Sequence, residues 1–126
     1  MLRFEVTTDD LLHSRFAISP LFELGRLLRV LSHQAKTKLP PAWSQRLRPA
    51  YRELRRHTCL DAILALYLPR HGANFIAPPP AGIAQSIDDD LAAVRSTPLR
   101  QARREIAFCL THRPVTDQRV LDVLHA

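Results

Sequence analysis

Ser19-Pro20-Leu21-Phe22-Glu23-Leu24-Gly25-Arg26-Leu27-Leu28-Arg29-Val30-Leu31 is the stretch from which the fold class follows. A serine followed by proline is a helix-start signal. The hydroxyl can accept an otherwise orphaned amide, and proline at the first helical position loses no bond it could have made. Glu23 can complete a capping box with Ser19 or support the positive end of the first turn. Leu21, Leu24, Leu28 and Leu31, with Leu27 beside them, then recur at spacings of three and four, which predicts an amphipathic helix. Arg26, Arg29 and His33 fall off that stripe and suit a solvated outer face better than a phosphate grip.

The same reading extends in both directions. Upstream, Leu2-Arg3-Phe4-Glu5-Val6 alternates apolar and polar residues with the period of a half-buried strand. It has no hairpin partner of comparable pattern, so it must pair with something remote or with another chain's edge. Thr7 or Thr8 can cap a brief helix opening at Asp9-Asp10. Downstream, Trp43, Leu47, Ala50, Tyr51 and Leu54 keep helical spacing, with Pro49 expected to kink or restart the helix. The apolar run Leu60 to Leu68 fits a buried helix or a strand equally well.

Phe75-Ile76, Pro78-Pro79-Pro80 and Gly82 form an irregular segment, because prolines donate no backbone hydrogen bonds. Ser86 is placed to cap a helix carrying Asp88-Asp89-Asp90, Leu91 and Val94, and Thr97-Pro98 to cap another with Leu99, Ala102, Ile106 and Leu110 on one face. Pro114 breaks that helix, and Thr116-Asp117 opens a last one with Val120, Leu121 and Leu124. The expected fold is therefore mainly α: a multi-helical single domain over residues 1–126, with one short N-terminal β-strand, a proline-rich irregular segment and a tail from 113 to 126.

Composition agrees. The chain has 126 residues, 46% hydrophobic and 24% charged, enough for one domain with an ordinary core. Leu, Ala and Arg dominate, all good helix formers, and three glycines are too few for a linker or a collagen-like repeat. The net charge of +6 is carried by arginine, which suits phosphate or carboxylate partners but also follows from a high-GC codon bias. Cys59 and Cys109 stand 50 residues apart with no CxxC pair, as expected of a reduced chain without a zinc site. No apolar run is long enough to span a membrane, and Glu5, Asp9 and Asp10 spoil a signal peptide, so a cytoplasmic location is expected.

Chemistry-bearing patterns are scarce. No two of the six histidines stand at the i, i+4 spacing of a helical metal pair. Asp88-Asp89-Asp90 point about 100° apart on a helix and suit capping better than a cation. Phosphate loops and nucleophile elbows are absent from the sequence. No enzyme is expected: no catalytic, cofactor-binding or metal residue is assigned. The densest charge cluster is Arg46, Arg48, Arg52, Arg55 and Arg56, opposed only by Glu53. Such a helix can contact nucleic acid or an acidic partner.

Phe4 with Thr8, then Arg15-Phe16-Ala17-x-Ser19-Pro20-Leu21-x-Glu23, then the leucine helix, make one ordered set of signals. Asn74-Phe75-Ile76-x-Pro78-Pro79-Pro80 and Asp90-Leu91-x-x-Val94-Arg95-x-Thr97-Pro98 continue it. Over about residues 2–112 this order resembles the N-terminal domain of certain ArsR-like winged-helix transcriptional regulators of high-GC bacteria. The resemblance implies a regulatory or assembly-type front domain, with DNA reading left to a C-terminal winged helix. Those regulators are more than twice this length, so the chain would be their front domain, standing alone or severed from its winged helix. Asn74 stands where the family often carries an acid, and no site residue carries over.

The leading expectation is thus a non-catalytic regulatory or protein-interaction domain associated with a bacterial transcriptional regulator. It would reach DNA only through a fused or partner winged helix, with any small effector left unnamed. The alternative is a stand-alone basic protein that binds nucleic acid non-specifically through the Arg46–Arg56 helix. The unpaired strand and unfilled apolar faces favour a homodimer.

Overall fold

The computed structural model describes residues 2–14 and 17–126. Arg15 and Phe16, which belong to the resemblance above, lie outside the described residues. The described chain forms α1 (Thr8–Leu12), α2 (Pro20–Leu31), α3 (Pro41–His57), α4 (Leu60–Ala65), a 3₁₀ turn (Asn74–Ile76), α5 (Ile87–Arg95), α6 (Leu99–His112) and α7 (Gln118–His125). The mainly α expectation holds.

The N-terminal strand does not form. Residues 2–6 are exposed and pair with no other segment, and the described residues contain only two isolated bridges, Ile18 with Ala84 and Tyr67 with Gly72. Alternation predicts which residues would share a face, but a strand needs a second edge to bond with, and none is offered here.

Helix ends follow their caps with two exceptions. Ser19 accepts the Phe22 amide at 3.2 Å, and Ser86 forms a reciprocal box with Asp89. Thr7 forms the same box with Asp10 in α1. Glu23 stays out of Ser19's cap, however, and Thr97 does not cap α6: Pro98 takes the cap position without a side-chain bond. Helix α3 runs unbroken through Pro49.

The run Leu60 to Leu68 resolves into a short helix and a buried turn. Helix α4 is apolar nearly all round, and such a helix belongs in the interior. One side of it, Ala62 and Ala65, packs in a core with Leu66, Leu68, Ala73, Cys109, Val120 and Leu124. The other side, Leu60 and Leu64, packs with Leu28, Leu31, Tyr51 and Tyr67. Ile76 touches both clusters.

The carbonyls of the turn after α4 are buried and need donors. Leu66 O accepts from the Ala73 amide and weakly from Cys109 Sγ, Tyr67 O from Arg113 at 3.2 Å, and Leu68 O from Arg29 at 2.7 Å. Arg29 is therefore an internal staple rather than part of a solvated face. Gly72 bridges Tyr67 here because a Cβ would stand 2.5 Å from the Leu66 carbonyl.

Candidate functional site

The apolar faces of α2 and α5 meet side by side but do not close over one another. Between them, with α4 as the third wall, lies a cleft of about 530 Å³. Helix α2 supplies Leu21, Leu24, Gly25 and Leu28, and α5 supplies Leu91 and Val94. Leu54, Leu60, Ala62, Ile63, Ile76 and Val123 complete the apolar lining, and Thr58, Cys59 and Tyr67 are its polar side chains. Leu24, Leu54, Ile63 and Val123 remain between 42% and 47% exposed, so apolar area stays open to solvent. Exposed apolar patches with a concave shape mark binding surfaces.

The Tyr67 side chain is buried against α2. Gly25 makes room for it, since a Cβ there would stand 3.0 Å from the hydroxyl, a tight contact. Burial pushes the phenol's pKa up, and the Arg29 guanidinium, 4.6 Å from the ring centre, pulls it only partly back. The hydroxyl stays protonated at neutral pH and can donate one bond to an occupant. Neither it nor the exposed Cys59 thiol is hydrogen-bonded to a carboxylate or imidazole that would activate it as a nucleophile.

A buried carboxylate fixes the angle between the two principal walls. Asp90 is 1% exposed. Its Oδ2 accepts from Ser19 Oγ at 2.9 Å and from the Leu21 amide at 3.0 Å, and its Oδ1 accepts from Gln85 Nε2 at 2.6 Å. Gln85 Oε1 in turn accepts the Ala81 and Gly82 amides. The residue expected to cap its own helix thus caps α2, where the helix dipole favours an anion. The Leu21 bond, ahead of those from Ser19 and Gln85, holds the Asp90 carboxyl below its usual range against the opposing effect of burial. In the Asp88-Asp89-Asp90 run, only Asp89 serves the local cap.

The five arginines assigned to nucleic acid or an acidic partner are divided by the structure. Arg48 donates to Ser44 at 2.7 Å, Arg55 to Asp61 at 2.7 Å, and Arg56 lies 3.7 Å from Glu53. The Asp61 bond raises the Arg55 pKa further. Arg55 also lies beside Tyr51, but its Nε turns to Asp61 and leaves the buried Tyr51 hydroxyl without a hydrogen bond. Arg46 and Arg52 are exposed and form no ion pair among the described residues. On the unbroken α3, Arg48, Arg52, Arg55 and Arg56 recur at spacings of three and four along one side of the helix.

The cleft itself was not legible as a site in the sequence. Its residues are ordinary helix-stripe leucines, and periodicity does not say which part of a stripe a neighbour will cover. Among the described residues no group of three or more His, Cys, Asp or Glu side chains is placed to hold a metal, and no helix is long and apolar enough to cross a membrane. Comparison with family models, with curated proteins and with solved structures finds no match.

Proposed function

We propose that the chain is a non-catalytic regulatory and protein-interaction domain that works beside the DNA-reading winged helix of a bacterial transcriptional regulator, in the cytoplasm. The observation that carries the interaction role is the cleft. Its 530 Å³ lies within the roughly 300–1,000 Å³ typical of binding sites, its walls are apolar, and its few polar groups lack a catalytic arrangement. The regulatory context rests on the resemblance. Two of its motifs, Ser19-Pro20-Leu21 and Asp90-Leu91, meet at one buried carboxylate, which gives both a common physical reason.

An apolar fluorescent reporter tests the interaction role. Its emission should rise with the wild-type chain and stay low with Ile63→Glu, a change at a rim position that is 42% exposed. Emission that survives both Ile63→Glu and Leu24→Glu would remove the cleft from the function. Selection from random duplex DNA tests the division of labour: the purified chain should enrich no common sequence, and an enriched sequence would contradict it.

The exposed Arg46 and Arg52, which form no ion pair among the described residues, favour a second reading, in which α3 binds nucleic acid without sequence preference. On that reading the logarithm of affinity falls linearly with the logarithm of salt concentration, and Arg52→Ala, Arg55→Ala and Arg56→Ala together flatten the slope. An unchanged slope rejects it.

A further inference from the structure

The basic charge of the chain is segregated. Residues 24–52 carry seven of the 18 Lys and Arg and none of the 12 Asp and Glu, so that stretch stands at +7 while the whole chain stands at +6. A codon bias toward arginine explains neither this separation nor the chain's two lysines, Lys36 and Lys38, which both stand in the connection between α2 and α3.

The fold gathers this charge around a concave site of about 590 Å³, which shares no lining residue with the cleft between α2 and α5. Lys36, Lys38 and Arg48 line it together with the hydroxyls of Thr37 and Ser44, and no Asp or Glu among the described residues does. None of these three cations forms an ion pair among the described residues. Arg48 Nε donates to Ser44 Oγ at 2.7 Å, which sets the guanidinium in the wall and leaves its terminal nitrogens to an occupant. Val30 and Leu39 add an apolar side.

The helix ends at the site suit an anion as well. Helix α3 begins without a side-chain cap and with no acid in its first turn, so the positive end of this 17-residue helix is unmatched. At the end of α2 the carbonyls that would repel an anion are occupied. Leu28 O accepts the Ser32 amide, Val30 O that of His33, and Arg29 O those of Gln34 and Ala35, as the chain turns through His33 at φ 60.

Three cations held around one concavity without an acid repel one another, and a multiply charged partner neutralises them best. A carboxylate brings a single charge. A phosphate group brings about −1.5 to −2 at pH 7 with three strong acceptor oxygens, and lysine binds it as a point charge. We infer that the concavity between the end of α2 and the start of α3 binds a small phosphate-bearing molecule, its phosphate held by Lys36, Lys38 and Arg48. The site lies apart from the cleft and does not depend on the cleft's role.

Nuclear magnetic resonance of the full-length chain, titrated at constant ionic strength, tests this. The probes are adenosine 5′-monophosphate, glycerol 3-phosphate, inorganic phosphate and acetate. At least one of the three phosphates should shift the amides between residues 33 and 48 saturably, and acetate should not. Tighter binding of an ester than of inorganic phosphate identifies an organic phosphate that uses the apolar side, and equal binding identifies the free ion. Lys36→Ala with Lys38→Ala should weaken the binding by about tenfold or more while leaving the Tm unchanged, since both side chains are exposed. Ile63→Glu in the cleft should leave it as it is. No saturable shift with any of the three phosphates overturns the inference, as do shifts that acetate reproduces or that survive the double lysine change. A single-stranded oligonucleotide that shifts these amides where the small phosphates do not would overturn it too, and would give the surface to nucleic acid.

Discussion

Helices α1 and α5 begin with the same device and end in different circumstances. Thr7 with Asp10 and Ser86 with Asp89 each form a reciprocal capping box, and each box is exposed. The residue after the box separates them. In α5 it is Asp90, which bonds Ser19 and the Leu21 amide on α2, followed by Leu91 in the cleft wall. In α1 it is Leu11, 65% exposed, followed by Leu12 at 77%. A capping box satisfies a helix's own first turn. It does not place the helix, which needs buried contacts or a bond to another element.

Removing the bond that places α5 should have the largest effect. Asp90→Ala leaves the Ser19 hydroxyl, the Leu21 amide and Gln85 Nε2 without their acceptor. The fall in Tm should be at least twice that of Ser86→Ala. The latter loses a cap alone and should cost about 1 kcal/mol by chemical denaturation. Equal losses would show that α5 is placed by its apolar residues rather than by Asp90.

Acid should separate the two regions as well. The bonds at Asp90 and Asp89 lower both pKa values, the Leu21 amide being the largest cause at Asp90 and the Ser86 amide at Asp89. At Glu105 burial pushes upward, but Gln101, the amides of Phe75 and Asn74 and the charge of Arg104 outweigh it, so that pKa is lowered too. A carboxyl whose folded pKa is depressed stabilises the fold above its unfolded pKa, and the gain is lost as pH falls through the folded pKa. The Tm should therefore decline below about pH 4. Asp90→Asn should flatten that decline. Asp10→Asn should flatten it less, although Asp10 is lowered by the same kind of bond, because its partner Thr7 lies on the same exposed segment.

The smallest effect belongs to the cap of α1. Thr7→Ala should change the Tm of the dilute chain by less than about 0.5 kcal/mol equivalent, as a surface substitution does. A larger shift would mean that α1 is packed on the rest of the chain.

These contrasts also show what sequence reading can reach. The starts of α2 and α5, the irregular Pro78-Pro79-Pro80 segment and the break at Pro114 were readable because each depends on residues within a few positions of one another. The bond from Asp90 to Ser19 spans 71 residues, and nothing near Asp90 distinguishes it from Asp89. The strand at residues 2–6 failed for the same reason in reverse: its pattern was local, and the edge it required was absent. Trp43 keeps helical spacing with Tyr51, yet one is 61% exposed and the other 8%. The arginine cluster was legible as a charge run, but its internal bonds to Ser44, Asp61 and Glu53 depend on rotamers that composition does not record.

Amide hydrogen exchange of the full-length chain, followed at low and high protein concentration, tests the account most directly. The amides of α5 should be protected at both concentrations. Those of α1 should exchange rapidly at both, since every residue from 2 to 14 is exposed. Protection of α1 equal to that of α5 would contradict the claim that a capping box does not by itself place a helix.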